Sequence, residues 1–533
     1  MTKQMAEKKV FLRESTGLVK NVSALDAISL NLSNMSAGAA LATISFTMLI
    51  VNVSGVNLVL ASVIAFVLSV PQIVVYTMMT RRLPRSGGDY VWVSRALGGF
   101  WGSSLSFMGY TLETLAFLAL IALSAVFAIG SVGLFFGNTN MLGIALPGYI
   151  QGSNPSQQVI LAVAIFAILI LVNVFKPKAG FKLVSALALV GVATLIIAIF
   201  TLLGAGHQGV VNYMDGVNAS SPYVTGSPGN FTYNQVAATY HGSNFDFGAT
   251  LFLLPFFAIF VYPWLNAAPA VGSEIKGKKA VGWNVPISAV IVFILVTSAF
   301  GAMYYVGGLP FINAALSNAN LVNFYSFNFW TLAMGVTNIT ALQWVIGIGW
   351  IVWNIAILAY GIIIFSRYIF AQSFDRFLPT RLATISSRFG SPIAAHLLDL
   401  VVTVVLISIA AFLYGSFQSL YAAVVAAMIY FVAVGIAAVV YANRSERGRS
   451  KGVLMVAGVL MSLVFLFIIY QFLSNPTIWG TGATAFGVPG YYIAYAYAAG
   501  SFVAGAIIYL ASKSYHRSRG VDITLAYKEI PPE

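Results

Sequence analysis

Residues 29–40 read S-L-N-L-S-N-M-S-A-G-A-A and lie inside an apolar stretch long enough to cross a bilayer. Hydrocarbon offers no water to a bare peptide group, so a spanning segment must satisfy its amides and carbonyls internally. Serine and asparagine compete with the helix for those groups, and Gly38 lowers the cost of leaving it. The stretch therefore predicts a first span that unwinds at mid-depth, near Ser36. Either the freed peptide groups serve a ligand, or the small residues let neighbouring helices approach closely. The rest of the chain decides between these readings.

Of 533 residues, 59% are hydrophobic and 8% charged, against about 25% charged in a soluble domain. Mean hydropathy is +0.89. So few ionic groups cannot solvate a chain of this length, so the class is an all-α polytopic membrane protein. Disorder and nucleic-acid binding are excluded as main activities despite the net charge of +13. There is no cysteine, so disulfides, thiolate nucleophiles and zinc–sulfur sites are excluded. His207, His241, His396 and His516 show no metal-ligand spacing. The N-terminal residues are charged for too long to read as a signal peptide.

A membrane helix needs about 20 mostly apolar residues. Twelve such spans are predicted, at 26–51, 56–80, 100–136, 159–175, 182–203, 248–271, 283–307, 341–372, 395–414, 419–441, 452–473 and 491–513. The 27 Lys and Arg test this count. Five precede the first span and four follow the second; three follow the fourth and three the sixth. Four lie at the basic end of the eighth or just beyond it, four follow the tenth, four lie at or beyond the end of the twelfth, and the alternate loops hold none. Basic residues resist translocation, so the termini and the basic loops are predicted to be cytoplasmic. A missed or invented span would break this alternation. The largest opposite loop carries two acceptor sequons, Asn218-Ala-Ser220 and Asn230-Phe-Thr232.

A second interruption falls in the sixth span, where residues 256–266 read F-F-A-I-F-V-Y-P-W-L-N and Pro263 removes a backbone donor. Breaks near Ser36 and Tyr262 each open a block of five spans. Interrupted helices at matching places in two halves point to a transport site. The half-helix starting near Gly38 presents a positive dipole end to a carboxylate, and freed carbonyls near Ser33 and Val261 can receive an ammonium. An α-amino acid carries both groups. Glu113, about a third of the way down span three, is costly there as an ion and is expected to face a cavity. Asp26 and Asp399, near basic ends of their spans, read as interfacial or capping residues. No Walker A, H-E-x-x-H or G-x-S-x-G motif is present, so no catalytic residue is assigned.

Two loops carry a resemblance. Residues 81–102, R-R-L-P-R-S-G-G-D-Y-V-W-V-S-R-A-L-G-G-F-W-G, resemble the P-x-x-G-G-x-Y…G-x-x-x-G signature of the amino acid–polyamine–organocation superfamily of permeases. Residues 366–392, S-R-Y-I-F-A-Q-S-F-D-R-F-L-P-T-R-L-A-T-I-S-S-R-F-G-S-P, look like its S-R-x-x-x-A-x-x-x-D-G-x-L-P…P pattern. The resemblance implies a five-plus-five inverted repeat (LeuT-type) with helices 1 and 6 broken, plus two extra helices. It implies that Ser36, Ala37 and Gly38 cradle a substrate carboxylate and that Ser33 and Asn34, with Met35 beside them, meet the amino group. It likewise puts Val261, Tyr262, Pro263 and Trp264 on the second break, Phe260 on the gating aromatic, and Glu113 in the pocket lining. The chain departs from the pattern at Ser36, where the family has Gly, at Pro263 within the second break, and at Arg376 in place of the Gly of D-G. Span five has no mid-helix Lys, and span eight lacks the Ser/Thr pair that would hold sodium.

The sequence thus predicts a tail over 1–25, a first repeat over 26–203, an outer loop over 204–247, a second repeat over 248–441, two further helices over 452–513 and a tail over 514–533. The function read from it is a secondary transporter of amino acids or related amines in the plasma membrane, working by alternating access with H+ as coupling ion. Glu113, with Asp26, is assigned to proton coupling; no metal or organic cofactor is expected. An exchanger in which Glu113 binds a cationic substrate is the alternative. A channel or non-transporting receptor is the reading from another class. The partners are a small-molecule substrate and the bilayer, not nucleic acid.

Overall fold

A computed structural model describes residues 18, 20–51, 54–137, 140–141, 144–145, 154–219, 231–243, 245–414, 421–475, 484–485 and 488–530. Among these, ten helices are long and apolar enough to cross a membrane unbroken. Two further crossings are each made of pieces. The first span is Ala24–Met35 followed by Ala37–Val51. The sixth is Phe247–Phe252 and Leu254–Phe260, then a non-helical stretch, then Ala267–Ala270. Ten whole spans and two broken ones make the twelve expected. Apart from two hairpins of two-residue strands, the described chain is helical or irregular.

Local chemistry sets the helix ends. Ser23 accepts from Asp26 N, and Asp26 returns the bond to Ser23 N, a capping box that starts span one. Asn57 caps span two (Leu58–Arg82), and Asn154 with Pro155 opens span four (Pro155–Phe175). A linker helix, Asp89–Leu97, ends at Gly98, whose φ of 88° turns the chain into span three (Gly99–Phe135). That span carries a π-helical turn at Phe107–Leu112. Span five does not stop near residue 203: Pro177–Ala219 is helical, kinked at Gly206 with φ 64°. The first part of the expected outer loop is therefore helical. Of the sequons in that loop, Ser220 and Asn230 lie outside the described residues, as do Met1 to Gly17 of the tail.

Span three and span eight (Thr340–Phe374) are buried along most of their length, whereas spans four, nine (Ile393–Phe412), eleven (Gly448–Ser474) and twelve (Gly490–Ser518) turn most of their surface outward. Leu463, Leu466 and Val456 of span eleven are exposed apolar side chains of the kind hydrocarbon covers. Spans seven (Lys278–Gly307) and ten (Tyr421–Ser445) complete the set.

The face that carries the Lys and Arg loops is tightly closed. Val22, just before span one, pairs with the residues after span six: Val22 N to Glu274 O at 2.9 Å and Lys276 N to Val22 O at 2.8 Å. Arg367 grips Glu274 bidentately at 2.7 and 2.9 Å, and Lys182 reaches Asp26 at 2.9 Å. The start of span one, the end of span six and the end of span eight are thus fastened together at one face.

Candidate functional site

The first break is narrower than the sequence implies. A single residue, Ser36, leaves the helix, at φ 45° and ψ 58°. This is the left-handed region, which costs a residue with a β-carbon about 1–2 kcal/mol. The backbone hydrogen bonds made by Ser36 are its N to Leu32 O at 2.9 Å and Ala40 N to its O at 3.0 Å. Ala37, Gly38 and Ala39 form the first turn of the second half-helix, where the helix itself supplies no acceptor for their amides. The hydroxyls of Ser29, Ser33 and Ser36 are buried and also lack hydrogen-bond partners. Asn34 is engaged: its Nδ2 donates to Asn266 Oδ1 at 2.9 Å, and Tyr360 of span eight donates to its Oδ1. Met35 is fully buried.

The second break runs from Val261 to Asn266. Val261, at φ −129° and ψ −87°, ends the helix, and Pro263 supplies no amide to resume it. The carbonyls of Val261 and Tyr262 accept no bond among the described residues. Pro263 O accepts from Leu265 N at 2.9 Å and from Gln72 Nε2 at 2.8 Å. Side chains here divide. Tyr262 turns towards spans two and seven, its hydroxyl 2.7 Å from Ser62 Oγ, which itself meets Thr297. Trp264 folds back to donate to Ile259 O at 2.7 Å and stacks on Phe117 of span three at 5.5 Å. Phe260 is buried at the end of the half-helix that precedes the break.

The two breaks are joined by asparagines. Besides the Asn34–Asn266 bond, Asn31 accepts from Ala268 N at 2.9 Å and donates to Asn284 at 3.1 Å. These bonds hold the start of span one against the far half of span six. Asn266 Nδ2 remains unpartnered. Asn31, Asn266, Asn284 and Phe117 are site residues that sequence reasoning missed. The signal that marks the asparagines is an amide side chain inside an apolar run. On the other flank, Trp330 donates its indole N–H to Gly38 O at 2.8 Å, and Trp353 lies so close that a β-carbon on Gly38 would be 2.0 Å from its ring.

Glu113 follows the π-helical turn of span three and is buried. Thr114 donates to Oε2 at 3.3 Å, while Oε1 has no partner. Its carboxyl interacts electrostatically with Tyr110, Tyr360 and Tyr497, and Tyr360 is the residue bonded to Asn34. Asp26 is differently placed. Its carboxylate accepts from Ser23 N and Oγ, Lys182 Nζ and Ser185 Oγ at 2.6–3.0 Å, so its lone pairs are filled and its charge balanced. Asp399 lies near the end of span nine as expected, in its second turn, but is fully buried rather than interfacial or capping, accepting from Thr403 at 3.1 Å. No metal-binding group of acidic and histidine side chains occurs among the described residues.

Bare peptide groups thus lie at both breaks, and the buried Glu113 carboxyl, with one unpartnered oxygen, is in electrostatic reach of Tyr360, which bonds Asn34. A local similarity, 34% identity over 85 residues, links the chain to "Uncharacterized protein 399" of Sulfolobus islandicus rod-shaped virus 1; it covers 16% of this chain and 21% of that protein and carries no functional information. Residues 22–516 match the family described as Amino acid permease. The chain belongs to that family and is a multi-pass membrane protein.

Proposed function

We propose that this permease is a proton-coupled symporter of the plasma membrane, with its basic face in the cytoplasm, working by alternating access. The observation that carries the reading is the set of unpartnered donors at the first break. The amides of Ala37, Gly38 and Ala39 and the hydroxyls of Ser33 and Ser36 suit a substrate carboxylate at a helix N-terminus. The unbonded carbonyls of Val261 and Tyr262 suit its ammonium. Phe260 closes over the bound substrate, and Trp264 shapes the pocket with Phe117. Glu113 carries the proton: it is buried, half-bonded and tied through Tyr360 to Asn34. Asp26, saturated by Lys182 and its hydrogen bonds, keeps a structural charge and takes no part in proton transfer.

A second reading has Glu113 as the anionic partner of a cationic substrate in an exchanger. It is favoured by the absence of any basic partner for Glu113 among the described residues. One substitution separates the two. In proteoliposomes, Glu113→Gln in a proton-coupled carrier abolishes gradient-driven uptake and leaves substrate exchange intact. In an exchanger of cations it lowers affinity for cationic amino acids and polyamines relative to neutral ones. Uptake that stays gradient-driven with an unchanged substrate profile rejects both.

A further inference from the structure

Asp89 begins the linker helix between spans two and three and is fully buried. Three phenols converge on its carboxylate. Tyr76 of span two donates to Oδ2 at 2.6 Å; Tyr368 of span eight donates to Oδ1, as does Tyr430 of span ten at 3.1 Å. A fourth ring, Tyr110 of the π-helical turn, stacks on Tyr368 with centroids 3.5 Å apart. No Lys, Arg or His among the described residues pairs with Asp89. The cations on the surrounding elements are engaged elsewhere. Arg95 of the linker helix holds Asp375, Arg367 of span eight holds Glu274, and Arg82 of span two holds Glu446. Arg81 donates to Gly282 O at 3.0 Å, and Arg444 of span ten to Ala96 O at 3.3 Å. The other acid on a packed element is Glu113, three residues beyond Tyr110 and in electrostatic reach of it.

The residues just before Asp89 are fastened to the far half of span six. Gly87 N donates to Ala270 O at 2.9 Å, and Ser86 Oγ lies 2.7 Å from Ser273 Oγ. A β-carbon on Gly88 would be 2.9 Å from Ala270 N and Pro269 O. The carboxylate therefore ties spans two, eight and ten to the part of span six that closes the basic face. We propose that Asp89 and its three phenols form a proton-binding latch that holds the basic face shut when protonated and releases it on ionisation.

The sign follows from linkage. Burial pushes the Asp89 carboxyl up from 3.8 to about 6, because loss of water outweighs the bonds from Tyr368, Tyr76 and Tyr430. When the face opens and water enters, the carboxyl returns towards its ordinary value. The shut state thus binds the proton more tightly, so protonation favours it, and that advantage disappears as pH rises through about 6. With 6 for the shut state and 3.8 for the open one, the shut-to-open ratio rises about tenfold from pH 7.5 to pH 5.

The inference rests on the carrier reading, and the test separates the two. The chain has no cysteine, so Ser29→Cys, at a buried position on the first half of span one, is a unique reporter. Its alkylation by a charged maleimide is followed in vesicles exposing the basic face, and each rate is normalised to Ser387→Cys in an exposed loop. The expected result is labelling about tenfold slower at pH 5 than at pH 7.5. Adding Asp89→Asn makes it slow and flat across that range. Adding Tyr430→Phe removes a donor to the ionised form and moves the midpoint upward, a readout that survives if Asp89→Asn fails to fold. A slope retained in Asp89→Asn, or an unmoved midpoint in Tyr430→Phe, overturns the latch. A finite rate that does not change with pH overturns the latch alone. No labelling of Ser29→Cys at any pH means the face never opens, and the carrier reading falls with the latch.

Discussion

Gly38 is the residue where the first break is most tightly constrained. The Trp353 ring occupies the space its side chain would need, with Cδ1 2.0 Å from an ideal β-carbon. The same indole abuts Gly191 of span five and donates to its carbonyl at 3.0 Å. Trp353 is thus clasped between two glycines, and it fixes the half-helix whose amides face the proposed substrate. Gly38→Ala must displace the ring, an overpacking cost of about 1–3 kcal/mol. The expected outcome is a lower thermal midpoint and lost uptake, with stability restored by Trp353→Leu in the same chain. If the single variant is as stable as the parent, or the second substitution restores nothing, the packing account is wrong. At this scale the sequence made the break legible through the local run of Ser, Asn and Gly. It could not reveal Trp353 as the neighbour, because residues 38 and 353 meet only through the tertiary fold.

Span one and span six are each too weak to cross a membrane alone with their peptide groups bare. They compensate by binding each other through Asn34–Asn266 and Asn31–Ala268, with Tyr360 adding span eight. A buried amide that loses its partner costs about 1–3 kcal/mol. Asn34→Ala and Asn266→Ala should each lower stability by about that amount, while the double variant loses clearly less than their sum. Thermal unfolding of the four proteins checks this. Strict additivity would mean the two halves are held by something else. The breaks and the twelve-span count were legible because apolar length, charge alternation and helix-breaking residues are local signals. The pairing was not, since Asn34 and Asn266 are 232 residues apart. Nor was the extension of span five to Ala219, because Asn, Gly and Tyr beyond Gly206 resemble a loop until packing holds them helical.

Across the whole molecule, the basic face is sealed by a segment that the sequence presents as a plain charged tail. Asp522 accepts from Thr524 N at 2.9 Å and Oγ1 at 2.7 Å, starting a 3-10 turn at Ile523–Lys528. Ile523, Ala526 and Tyr527 are buried beneath it. The Tyr527 ring fills the space beside Gly99, its hydroxyl lies 3.0 Å from Ser103 Oγ, and the Arg95 guanidinium stands 5.6 Å from its centroid. Arg95 also holds Asp375, so tail, linker helix and the end of span eight form one unit, on the same helix that Asp89 begins. Truncating a buried aromatic to Ala costs about 3–5 kcal/mol. Tyr527→Ala should therefore lower the thermal midpoint and speed hydrogen exchange at the amides of residues 89–97. Exchange along Ala37–Val51 should not change. The Thr524 hydroxyl and amide hold the Asp522 carboxyl below its ordinary 3.8. Its contribution is thus fully present above that value and lost only as pH falls beneath it. At pH 5 the tail should remain docked while Asp89 is protonated. The exchange increase caused by Tyr527→Ala should then persist at both pH 5 and pH 7.5. An increase confined to the higher pH would mean that the tail acts through Asp89 rather than beside it.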